Sequence, residues 1–171
     1  VARIVSPAAR LLADAFTRIG DDAASVVDGL SPEQLARRVS PGANPIGWLV
    51  WHLLRVQDDH VADVAGTEQV WTADGWRDRF DLPYEAAATG YGQSADEVAA
   101  LETTSELLAG YAAAVTAATQ SWLTGLEDDD LDRVVDDAWD PPVTLGVRLV
   151  SVLGDDLKHL GQAEYVAGLL D

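Results

Sequence analysis

Residues 45–65 constrain this chain more than any other stretch. After the capping pair Asn44-Pro45, the residues Ile46, Leu49, Val50, Leu53, Val56 and Val64 recur at the three- and four-residue spacing of one helical face. Trp48, Trp51 and His52 fill the flank beside that stripe, so the first half of this helix is apolar nearly all round. Such a helix is stable only when other elements surround it. The spacing predicts a helix from about Pro45 to Ala65, stopped by Gly66. The remaining sequence must therefore supply neighbours for a helix roughly 30 Å long.

Three further long amphipathic segments meet that need. Ser6-Pro7 starts the first, in which Leu12, Ala15, Ile19, Ala23, Val26 and Leu30 keep helical spacing until about Gly29. Ser31-Pro32-Glu33-Gln34 opens a short helix that Ser40-Pro41-Gly42 ends. Ser94-Ala95-Asp96-Glu97 is another capping box. Beyond a break near Thr103-Thr104, Leu107, Leu108, Tyr111, Val115, Ala118 and Trp122 mark the third long helix, ending at Gly125. Thr144 caps the last one, predicted from about Leu145 to Leu169. Between the second and third long helices, residues 67–93 have no sustained period but carry Trp71, Trp76, Phe80, Tyr84 and Tyr91, which suits an ordered excursion packed over the bundle. Asp140-Pro141-Pro142 forces an extended approach to the last helix, and no segment reads as a convincing strand. The expectation is a single all-α domain over residues 1–171, an up-down four-helix bundle with a long aromatic-rich connection.

Charge and composition narrow the function. A net charge of −18 with only 11 scattered basic residues repels nucleic-acid phosphates and anionic lipid, so neither is an expected partner. The longest apolar run, Ile46 to Leu54, is far too short to span a membrane. The chain opens without the basic and apolar segments of a secretory leader, which makes a cytoplasmic location the default expectation. The acidic run Glu127 to Asp132 fails as a calcium loop: Arg133 stands where glycine is needed and Trp139 where glutamate is needed. With no cysteine present, thiol nucleophiles and thiolate metal sites are excluded, and histidine and carboxylate remain as metal ligands.

The stretch Gly154-Asp155-Asp156-Leu157-Lys158-His159-Leu160-Gly161-Gln162 carries the chemistry that stands out. Asp155 and His159 are four apart and point the same way from a helix. Arg148, Asp155, His159 and Gln162 share a sector of roughly 60°, which either a metal site or a solvated face would explain. Asp156 rivals Asp155 because it lies nearer the stripe of Leu149, Val152, Leu160 and Ala163. His60 likewise rivals His52 as a third ligand from the second long helix. The two histidines are roughly 12 Å apart along that helix and cannot share one ion. Periodicity leaves both choices open.

The run Asn44-Pro45-Ile46-Gly47-Trp48-Leu49-Val50-Trp51-His52-Leu53, followed by Asp155-x-x-x-His159-x-Gly161-Gln162, resembles the DinB superfamily. That superfamily takes in YfiT-like proteins, the bacillithiol and mycothiol S-transferases and mycothiol-dependent maleylpyruvate isomerase. The resemblance covers nearly the whole chain and extends to Trp71-x-x-x-x-Trp76 and Trp139-Asp140-Pro141-Pro142. It implies a bundle that holds a divalent metal, zinc or nickel, between its second and fourth long helices. Mapped residue by residue, the ligand positions fall on His52, Asp155 and His159, with aspartate standing where many members carry histidine and the isomerase-like members glutamate. A homodimer is also the expectation by resemblance.

A metal with two imidazoles and one carboxylate keeps open positions, as catalytic zinc does. The function expected is a metal-dependent S-transferase that activates a low-molecular-weight thiol such as mycothiol for attack on an electrophile. Arg148 is a candidate for holding a substrate carboxylate or for an ordinary salt bridge. Asp59 and Gln162 are candidates for orienting the ligands. Two alternatives stand beside this reading: a non-catalytic metal-binding or protein-interaction bundle, and a thiol-dependent isomerase of a maleylpyruvate-like substrate. The isomerase would need more convergent basic residues than the sequence offers.

Overall fold

The structure, a computed structural model, describes residues 5–170; the first four residues, on which the expected lack of a leader partly rests, lie outside them. Helix α1 spans Pro7–Val27, with the Ser6 hydroxyl accepting from Ala9 N–H, and buries Phe16, Ile19, Ala23 and Val27. Helix α2, Pro32–Ala36, opens on the full Ser31/Gln34 capping box. Helix α3, Ile46–Ala65, is buried at every position from Ile46 to Arg55, as its all-round apolar character requires. Its start differs from expectation: the N-cap is Pro45, and no side chain caps it. Gly66 ends it in the left-handed conformation at φ 67°.

The aromatic connection is ordered and tied down by polar groups of α3. It contains helices α4 (Val70–Ala73) and α5 (Trp76–Phe80) and leads to α6 (Ala95–Ala99). Asp58 accepts the backbone N–H groups of Val70 and Trp71 at 2.9 and 2.8 Å and the Tyr111 hydroxyl at 2.7 Å. Arg55, fully buried, donates to the carbonyls of Ala86 and Ala88 and to the side chains of Gln69 and Tyr111. Its guanidinium also lies 4.9 Å from the centre of the Trp71 ring. A buried charge is tolerable only when paired and hydrogen-bonded, and Arg55 and Asp58 are both. Trp51, Trp71, Phe80 and Tyr111 then pack as one aromatic cluster with ring centres 5.3–6.3 Å apart.

Helix α7, Ser105–Leu123, begins after the break foreseen at Thr103-Thr104, with Thr104 as its cap. A 3₁₀ turn over Asp128–Asp132 follows. Next come β1 (Val134–Asp136) and β2 (Val143–Thr144), an antiparallel pair that corrects the expectation of no strand. These strands are too short to show a period of two; their β-branched residues favour them. Helix α8, Leu145–Ala167, starts at the predicted Thr144 cap. In the bundle, α1 packs mainly along α7 and α3 along α8, while α3–α7 and α1–α8 contacts close the ring. The consecutive long helices α1 and α3 thus sit across its diagonal, and α3 and α8, which carry the candidate ligands, lie side by side. Among the described residues, no helix is long and apolar enough to cross a membrane.

Candidate metal centre

His52 lies in the fully buried part of α3, where the side chain is 7 % exposed, and faces α8. Asp155 and His159, one turn apart on α8, meet it there: the Asp155 carboxylate is 3.8 Å from Nε2 of His52 and 3.5 Å from Nε2 of His159. One ligand atom from each of the three residues lies within 4.8 Å of the others. The structure therefore brings together His52, Asp155 and His159, and it leaves Asp156 and His60 outside this group. Asp156 points into the core, fully buried, and His60 sits further along α3 beside Arg148.

The tautomers of the two imidazoles follow from what their other nitrogens touch. Nδ1 of His52 contacts the Thr89 carbonyl, which can only accept, so Nδ1 carries the proton and Nε2 a lone pair. Nδ1 of His159 lies 3.2 Å from Oε1 of Gln162, which fixes the same tautomer. Burial first, and the neighbouring His159 less strongly, lower the pKa of His52 and keep the ring neutral; the Thr89 contact and Asp155 oppose this. Trp48, one turn earlier on α3, stacks on the His52 ring with centres 4.6 Å apart and planes 13° apart, and its Nε1 donates to Gln93 at 2.7 Å.

In these tautomers two imidazole lone pairs and a carboxylate face one another. Such a set repels itself unless a cation sits among the three groups. Asp155 Oδ2 is buried and has no hydrogen-bond partner among the described residues, as an atom reserved for an ion would be. Ligands about 2.0–2.1 Å from a tetrahedral zinc lie roughly 3.3–3.5 Å apart; the two carboxylate–imidazole spacings, 3.5 and 3.8 Å, are near this, and the three ligand atoms lie within 4.8 Å of one another. The nitrogen and oxygen donors fit a borderline divalent ion.

A cavity of about 480 Å³ opens beside two of the three side chains, lined by His52 and Asp155 together with Asp59, His60, Tyr91, Arg148 and Ser151. Asp59 faces this cavity, and its carboxylate accepts from Gln69 at 2.7 Å; its hydrogen bond is not to His52. Arg148 donates to Asp63 and Asp136, each at 3.4 Å, and to Nδ1 of His60 at 3.3 Å. Gln162 is the sequence-chosen neighbour that does touch a candidate ligand.

The sequence reading missed Thr89 and Gly90, which bring the connection onto His52. Gly90 has φ 95°, and a Cβ there would lie 2.8 Å from Nδ1 of His52 and 3.0 Å from the Trp48 ring. Only glycine lets the backbone come so close. The one available signal was the pair of glycines flanking Tyr91.

A comparison with curated sequences gave no match. Among solved structures, a conserved protein of Enterococcus faecalis superposes with a TM-score of 0.86 at 27% identity, covering 94% of this chain and 95% of that one. The family model for mycothiol S-transferases matches residues 11–171. With the four-helix bundle, the facing α3 and α8 and nearly the whole chain inside that match, the protein belongs to the mycothiol S-transferase family of the DinB-like superfamily.

Proposed function

We propose that the chain is a divalent-metal-dependent thiol S-transferase, with zinc or nickel held by His52, Asp155 and His159 and a mycothiol-like thiol as co-substrate. The observation that carries this reading is the convergence of three lone-pair donors at the edge of a cavity large enough for a small molecule. The family match supports the thiol, and the absence of cysteine means that the nucleophilic sulfur must arrive as a substrate. A bound divalent ion would act as a Lewis acid and lower the pKa of a thiol brought to it.

The protein's own groups do the positioning. The Thr89 carbonyl and Gln162 hold the imidazoles in the tautomers that offer Nε2. Trp48 and Gly90 close the α3 side of His52, so reactants enter from the cavity. There the sulfur attacks the electrophilic carbon, the carbon–leaving-group bond breaks, and the thiol proton leaves to solvent. Asp59 and Arg148 face the reactants from the cavity wall.

The experiment is thiol consumption with a neutral alkylating agent such as monobromobimane, before and after chelation. Catalysis should disappear with the metal and return with added zinc or nickel. Full activity in the chelated protein would refute the proposal. A non-catalytic bundle would bind the ion and consume no thiol.

A further inference from the structure

We propose, building on the S-transferase reading, that the cavity beside His52 and Asp155 selects uncharged or cationic reactants and rejects those carrying a carboxylate or phosphate. The charged residues that line the cavity are Asp59, Asp155 and Arg148. Arg148 is the group that would be expected to hold an anion, yet its charge is already spent within the protein. Its side chain is only 15 % exposed and lies against two carboxylates, Asp63 and Asp136, each at 3.4 Å. Its third neighbour, Nδ1 of His60, lies 3.3 Å from a guanidinium that can only donate, so that nitrogen accepts and adds no negative charge beside Arg148.

The charge count must include the ion. A divalent cation against Asp155 leaves one positive charge, and a deprotonated thiol cancels it. What remains around the second reactant is Arg148 against Asp63, Asp136 and Asp59, a balance of two negative charges. The whole chain, at −18, adds a field of the same sign. Asp59 offers its carboxylate to the cavity as an acceptor, which suits hydroxyl, amide or ammonium donors and disfavours an incoming carboxylate. A dicarboxylate of the maleylpyruvate kind is the class this cavity is least suited to receive.

The test uses cobalt-loaded protein and three thiols of nearly equal size: cysteamine, 2-mercaptoethanol and 3-mercaptopropionate, which are cationic, neutral and anionic. Binding is read from the sulfur-to-cobalt absorption band. The three thiols differ in acidity, but that difference cancels when Kd ratios are compared between wild type and variants. In the Asp63→Asn/Asp136→Asn protein, the ratio of the anion's Kd to the neutral thiol's should fall on the order of tenfold, since two partly screened unit charges have gone. Arg148→Gln should raise the same ratio, and the cationic thiol should respond in the opposite sense to both changes. Asparagine keeps an oxygen that can accept from Arg148, and circular dichroism checks that the double variant is folded before its Kd ratios are read. A ratio unchanged in the double variant overturns the proposal. The lack of any thiol-dependent band would instead overturn the S-transferase reading on which it rests.

Discussion

Asp156 is the neighbour of a candidate ligand, yet it faces the opposite requirement, and replacing it with leucine should stabilise the metal-free protein. The side chain is 0 % exposed, and neither carboxylate oxygen has a hydrogen-bond partner among the described residues. Burial, and then the negative Asp155 beside it, push this carboxyl well above the usual carboxylate range, so the native state keeps it protonated. In the unfolded chain an aspartate ionises near pH 4. Above that pH the unfolded state releases a proton that the native state retains, so stability falls as pH rises, by about 1.4 kcal/mol per unit, until the native group ionises too. Leucine, of similar size, removes that slope and also relieves an unsatisfied polar group worth roughly 1–3 kcal/mol. The variant should therefore gain roughly 2–6 kcal/mol near pH 5–6, or roughly 4–24 °C in Tm. Guanidinium unfolding followed by tryptophan fluorescence, in the presence of chelator, measures it at both pH values. A variant less stable than the wild type, or a gain that does not grow with pH, would refute the reasoning.

Other substitutions probe how the connection supports the site. Gly90→Ala places a Cβ against Nδ1 of His52 at a positive φ, so the Thr89 carbonyl must move. Metal affinity, read by competition with a chromophoric chelator, should drop about 10- to 100-fold with the circular dichroism spectrum unchanged; undiminished affinity would show that the loop does not position His52. Tyr111→Phe deletes the hydroxyl that bonds Asp58 at 2.7 Å and should cost about 1.5–3 kcal/mol in urea unfolding, since the acceptor is charged. A loss below about 0.5 kcal/mol would show that the buried Arg55–Asp58–Tyr111 cluster contributes less than its geometry implies.

The parts of this molecule legible in the sequence are those set by local chemistry. The all-round apolar start of α3 announced its burial, and the capping boxes at Ser31 and Ser94 marked helix starts that the structure contains. Asp155 and His159 could be placed on one face because an α-helix fixes that relation. What decides between Asp155 and Asp156 is how α8 is rotated against α3 and α1, a tertiary quantity that periodicity gives only to within a sector. The same holds for His52 and His60. Thr89 contributes through its carbonyl, which every residue type possesses, and Arg55 and Asp58 act across distant segments, so neither role has a local pattern. The β1–β2 pair was illegible because five residues cannot display a period.

The most direct test of the metal centre is the metal content of protein purified without added metal, by elemental analysis, for the wild type and for His52→Ala, Asp155→Ala, His159→Ala and His60→Ala. The expected result is about one equivalent of zinc or nickel in the wild type and in His60→Ala, with loss in the three ligand variants while their circular dichroism stays helical. Unchanged metal in the His52 and His159 variants would contradict the assignment.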